Sequence, residues 1–134
     1  MGFSFRCATV GFGFVVATLC LPKAVTAEEA QAALLGNWHL QVKCADYAYE
    51  NNLTFTEATT SSVIGSAKTD SGNGKIVGGS FDGQTAKFSM KFKWKGKNET
   101  ESWVGRISVS GKKIKGKFAS TLDSRGCSYS GSKS

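Results

Sequence analysis

Phe88-Ser89-Met90-Lys91-Phe92-Lys93-Trp94-Lys95 sets four large apolar side chains on one parity and a serine with three lysines on the other. Side chains of a strand point alternately to its two faces, so this period of two is the pattern of a half-buried β-strand. The pattern spreads in both directions. Downstream it continues through Trp103, Gly105, Ile107 and Val109, then Ile114, Gly116 and Phe118, then Cys127 and Tyr129. Upstream, Tyr49, Leu53 and Phe55 alternate with Glu50, Asn52, Thr54 and Thr56, and Trp38, Leu40 and Val42 with His39, Gln41 and Lys43.

Turn-forming clusters separate these runs: Asp70-Ser71-Gly72-Asn73-Gly74, Asp82-Gly83, Lys95-Gly96-Lys97-Asn98, Ser110-Gly111 and Ser124-Arg125-Gly126. They divide the chain into eight expected strands, near 36–44, 49–57, 60–68, 74–81, 84–95, 99–110, 112–121 and 126–131. Short connections make sequential strands antiparallel neighbours. One apolar face per strand and little helix favour a sheet closed on itself, an all-β, eight-stranded, up-and-down barrel, over a sandwich with free edges. Gly65, Gly78, Gly79, Gly105 and Gly116 fall inside strands, where a small, strongly coiled barrel needs bends.

Residues 1–27 read as a signal peptide, removed on export. Arg6 supplies a charged start, 10–21 is almost wholly apolar, and Val25-Thr26-Ala27 places small residues at a cleavage site. The apolar run is too short for a bilayer core of roughly 30 Å, so no transmembrane segment is expected after processing. One domain, residues 28–134, follows; 28–35, Ala-rich and ended by Gly36, is its one expected helix. Without Arg6 and Lys23, the 17 basic residues fall to 15 against 10 acidic ones. Cys7 and Cys20 also leave, and the remaining pair, Cys44 and Cys127, is expected to form one disulfide tying the first strand to the last. Two separate buried thiols are the other reading. A secreted or periplasmic location follows from the same features.

Catalytic chemistry is sparse. His39 is the sole histidine and takes the solvent parity, and no cysteine is free once the disulfide forms. Glu99 and Glu101 are a same-face pair at a strand start, a spacing open to an acid and a base but read in preference as a solvated edge. Two distant cysteines and one histidine cannot close a metal shell. No enzyme, metal or cofactor is expected.

Two features remain. Lys91, Lys93, Lys95, Arg106, Lys113, Lys115 and Lys117 all take the outward parity on neighbouring strands. They are either solvated, edge-protecting charge or a docking surface for an anionic surface or protein partner. Specific nucleic-acid binding is not expected, because no exposed aromatics interleave them. The second feature is an inward aromatic set of Trp38, Phe88, Phe92, Trp94, Trp103, Phe118 and Tyr129. An eight-stranded barrel is either filled by side chains or holds one small ligand. Trp94 and Trp103, read as lying near one hairpin tip, are expected to line a mouth that takes a small, partly apolar ligand, with Phe118 as its floor.

Gly36-Asn37-Trp38 resembles the Gly-x-Trp start of lipocalins and avidins, the calycin barrels. Phe92-Lys93-Trp94-Lys95, Ser102-Trp103-Val104-Gly105 and Ile114-x-Gly116-x-Phe118 look more specifically avidin-like. The resemblance spans 35–122 and implies the barrel, with Trp94, Trp103 and Phe118 in an aromatic wall. It does not carry over biotin binding. Leu40, Ala67, and Glu99 with Glu101 stand where that family places the polar groups that grip a ureido ring. The account left standing is a binding barrel, with a surface-acting inhibitor or interaction protein as the alternative.

Overall fold

The period of two becomes eight strands: β1 (Gly36–Cys44), β2 (Ala48–Ala58), β3 (Val63–Thr69), β4 (Gly72–Phe81), β5 (Thr85–Trp94), β6 (Lys97–Ile107), β7 (Lys113–Ser120) and β8 (Cys127–Lys133). The computed structural model describes residues 32–134 and, ahead of them, the backbone of a two-residue ladder pairing Phe5–Arg6 with Leu21–Pro22. The rest of the expected signal segment lies outside the described residues, as do 28–31 of the expected helix. Of that helix, residues 32–35 make a turn in which the Leu35 N–H donates to the Ala32 carbonyl at 3.1 Å.

Each strand pairs antiparallel with the next, and β8 pairs back with β1, so the sheet is a closed barrel. Closure leaves no edge to cap. At the seam Cys127 stands directly opposite Cys44, and the two are joined by a disulfide across a Cα–Cα distance of 4.3 Å. They lie 83 residues apart in sequence, and closing a loop of that length in the unfolded chain is worth roughly 4–5 kcal/mol.

Strand ends follow local chemistry. β3 starts at Val63, later than expected, because the Thr59 hydroxyl accepts the Ser61 and Ser62 N–H groups at 3.3 and 2.9 Å and holds a turn there. β6 stops at Ile107, where the Gly111 N–H bonds to the Ser108 carbonyl, and Val109, expected inside, is 92% exposed. Lys95 (φ 49°) and Gly96 (φ 79°) both take the left-handed conformation between Trp94 and Lys97, as a tight two-residue hairpin turn requires. β4 carries a bulge between Val77 and Ser80. Its Gly79 passes so close to β5 that a Cβ would fall on the Lys87 carbonyl.

The interior has three levels. At one end the turn at 32–35 plugs the barrel. Leu34 is fully buried, its carbonyl accepts the Trp38 Nε1–H at 2.8 Å, and Lys133 Nζ bonds to the Ala33 carbonyl while lying 5.6 Å from the centre of the Trp38 ring. The middle is filled by aromatic rings. Trp103 stacks on Phe118 at 4.3 Å and lies 5.5 Å from Phe88, which meets Phe55 edge-on at 5.3 Å. Tyr129 packs 4.6 Å from Trp103 and donates its hydroxyl to the Val104 carbonyl at 3.0 Å. It fits because Gly105 and Gly116 face each other in register and offer no Cβ where its hydroxyl lies. The third level, bounded by the β1–β2, β3–β4, β5–β6 and β7–β8 connections, is open.

Candidate functional site

The open end encloses a cavity of about 550 Å³, within the range of roughly 300–1,000 Å³ usual for small-molecule sites. Its wall comes from β2 (Tyr49, Asn51), β3 (Ala67, Thr69), β5 (Met90, Phe92, Trp94), β6 (Glu101) and the β7–β8 connection (Leu122, Asp123). Strand parity explains the set. Tyr49, Asn51, Leu53 and Phe55 point inward on β2, and Glu101, Trp103, Gly105 and Ile107 point inward on β6. The apolar members of each series descend into the core, and the polar members nearest the rim face the cavity.

Glu101 is the cavity's distinctive residue. It is 9% exposed, opposite Met90 on β5 and Ser120 on β7, and its Oε1 accepts the Trp103 Nε1–H at 3.1 Å. Burial raises its pKa from 4.5 to about 7, an effect the Trp103 hydrogen bond only partly offsets. Among the described residues no Lys or Arg lies within ion-pair distance of it. Four strands away around the eight-stranded circle, and therefore across the lumen, stands Asn51. It is 4% exposed, and its Oδ1 is buried without a hydrogen-bond donor. Tyr49, between Asn51 and the rim, has its phenol pKa raised first by burial and then by the charge of Glu101.

The rim is braced on one side. Arg125 on the β7–β8 connection reaches Asp46 on the β1–β2 connection at 2.7 Å and Asp123 at 3.0 Å. The Cys44–Cys127 disulfide lies beside these connections. Tyr47 stacks on Tyr49 at 6.0 Å, and on the opposite hairpin Lys95 Nζ lies 5.9 Å from the centre of the Trp94 ring.

The structure separates the three expected ligand-site residues. Trp94 lines the cavity and is 42% exposed. Trp103 and Phe118, 2% and 4% exposed, stack on each other in the middle level and are not part of the cavity wall. The register accounts for this. Trp94 pairs with Lys97 beside the turn, whereas Trp103 pairs with Phe88, six residues deeper on each strand. The carboxylate pair is also corrected. Glu99 stays at the edge, accepting a hydrogen bond from the Thr121 hydroxyl, but Glu101 is inside. Its parity with Trp103, and that of Asn51 with Leu53, was the available signal for both polar wall residues.

On the outside, Lys91, Lys93, Arg106, Lys113, Lys115 and Lys117 are all exposed, and Arg106 stands opposite Lys115. Lys95 belongs to the turn and rim, not to this face. Among the described residues none of these side chains lies within ion-pair distance of a carboxylate.

No protein-family model matches the sequence, and no curated protein matches it. Among solved structures the chain is similar to a redesigned β-barrel, with a TM-score of 0.63 and 13% identity over 78% of this chain and 95% of that one. At that identity the likeness concerns the fold alone.

Proposed function

We propose that the chain is an exported, calycin-like binding protein that holds a small, partly apolar ligand at the open end of its barrel. The observation that carries this reading is the cavity itself. A barrel filled from its plugged end through its middle leaves about 550 Å³ at the other, walled by Met90, Phe92 and Trp94 and two buried polar side chains. A buried polar atom without a partner costs stability, and the Asn51 amide oxygen, which has none, calls for an explanation that a ligand in the cavity supplies. Export is supported by the pattern of residues 1–27, and the disulfide is compatible with an oxidising compartment. Biotin is not the proposed ligand, because Leu40 and Ala67 offer no polar grip.

Native mass spectrometry of protein purified from its own host tests this. The expected spectrum contains the polypeptide with a non-covalent adduct that is lost on collisional activation and is reduced in a Met90→Trp variant, whose larger side chain narrows the cavity. A folded wild-type protein that always flies as the bare polypeptide would contradict the reading.

The exposed cations support a second reading, a surface that docks an anionic partner. Lys113, Lys115 and Lys117 recur along β7 at a spacing of roughly 7 Å, flanked by Arg106 on β6 and by Ser128 and Ser130 on β8, with no carboxylate paired to them among the described residues. Joint replacement of the three lysines by alanine is expected to abolish salt-sensitive retention on a sulfated polysaccharide column. Unchanged retention would remove this reading.

A further inference from the structure

We propose that the ligand of the open-end cavity carries a cationic nitrogen head, an amidinium or an ammonium, seated on the Glu101 carboxylate with Asn51 accepting a further N–H. The inference rests on the cavity being a ligand site and names the chemistry that fits it.

Three observations converge. First, the Glu101 carboxylate is buried in the cavity wall with Trp103 Nε1–H as its one protein donor among the described residues. A carboxylate has room for several donors, and an ionised one held away from water is costly unless a cation meets it. No cation of the barrel does so among the described residues. Second, Asn51, facing Glu101 across the lumen, has an amide oxygen buried without a donor. A head group bearing several N–H donors brings the kind of group that both acceptors lack. Third, the surrounding wall is aromatic, with Tyr49, Phe92 and Trp94 in the lining. Aromatic faces attract cations, and more strongly where water is excluded.

The other charged and titratable groups of the wall do not reverse this preference. Tyr47, Tyr49 and Asp123 carry no positive charge, and Asp123 is paired with Arg125. Lys93, the one cation of the wall, is exposed and takes the parity opposite to Phe92 and Trp94. An anionic head would meet Glu101 as a like charge. A neutral head would leave the carboxylate to be protonated.

The test uses a matched pair of probes, 2-naphthamidine and 2-naphthamide, which share an apolar body and differ in the charge of the head. Binding is followed through amide chemical shifts of the full barrel at about pH 8, where Glu101 is largely ionised. The expected result is that both probes shift resonances around Met90, Phe92 and Asn51, with naphthamidine bound at least about tenfold more tightly, the worth of one charge-assisted hydrogen bond. Glu101→Gln, which keeps the side chain's shape, should erase that preference, and Asn51→Leu should weaken naphthamidine while raising the melting temperature of the empty barrel. Equal affinity of the two probes would overturn the cationic head and leave the cavity reading standing. Failure of both probes to perturb the cavity resonances at millimolar concentration would overturn both readings, and binding of naphthamide without naphthamidine would overturn the cationic head.

Discussion

Glu101 makes the folded barrel sensitive to pH in a definite direction. Its pKa is raised by burial from 4.5 to about 7, so the folded state binds this proton more tightly than the unfolded chain does. The associated stability is fully present below about pH 4.5 and is lost as the pH rises through 7, a total of about 3 kcal/mol. Glu50, Asp82 and Asp123 have lowered pKa values and act in the opposite sense, but at more acid pH. Chemical denaturation from about pH 5 to 8 is therefore expected to show falling stability in the wild type and a nearly flat profile in Glu101→Gln. A wild-type profile as flat as the variant's would count against the buried carboxylate. The two tryptophans of the hairpin separate at the same scale. Trp94→Ala, at a 42% exposed site, should cost no more than about 1 kcal/mol, whereas Trp103→Ala, 2% exposed and stacked on Phe118, should cost about 3–5. Equal losses in equilibrium unfolding would contradict the placement of one at the rim and the other in the core. Gly105→Ala should also destabilise, by about 1–3 kcal/mol, because the added methyl displaces the Tyr129 hydroxyl from its bond to Val104.

The strands were legible in the sequence because a barrel strand with one wet face writes its burial into the parity of its residues. Met90 inside and Lys91 outside on β5 follow from the alternation directly. Parity does not report depth along the strand, and there the reading of the site stopped short. Trp94 and Trp103 share a hairpin and a face, but only the position of the two-residue turn at Lys95 and Gly96 decides that one reaches the rim and the other the middle. The same limit hid the polar wall. Asn51 and Glu101 hold inward parity, yet a polar residue at a strand start is equally compatible with a solvated edge until the four walls around it are assembled. The disulfide belongs to this scale too, since it staples β1 to β8 beside the mouth. Removing it with paired serines should cost roughly 4–5 kcal/mol. Amide exchange should then be accelerated first along the β1–β8 seam. Unchanged stability would show that closure of the sheet alone suffices there.

At the scale of the whole molecule, the barrel is asymmetric along its axis. Trp38, Leu34 and the turn at 32–35 seal one end, Phe88, Trp103, Phe118 and Tyr129 fill the middle, and the other end is left open over a carboxylate. A uniformly filled barrel would have no reason to keep Glu101 and Asn51 inside, and a barrel hollow throughout would lack the aromatic layer that holds Trp103 against Glu101. The arrangement is that of a cup, with Asn51 and Glu101 in its wall and the aromatic stack packed beneath it, outside the lining. The most direct measurement is the titration of the Glu101 side-chain carboxyl by carbon-13 NMR in the ligand-free barrel. The account predicts a midpoint at about 7, moving lower when 2-naphthamidine occupies the cavity. A midpoint at the ordinary value of 4.5, unmoved by the amidine, would place the carboxylate in bulk water and contradict it.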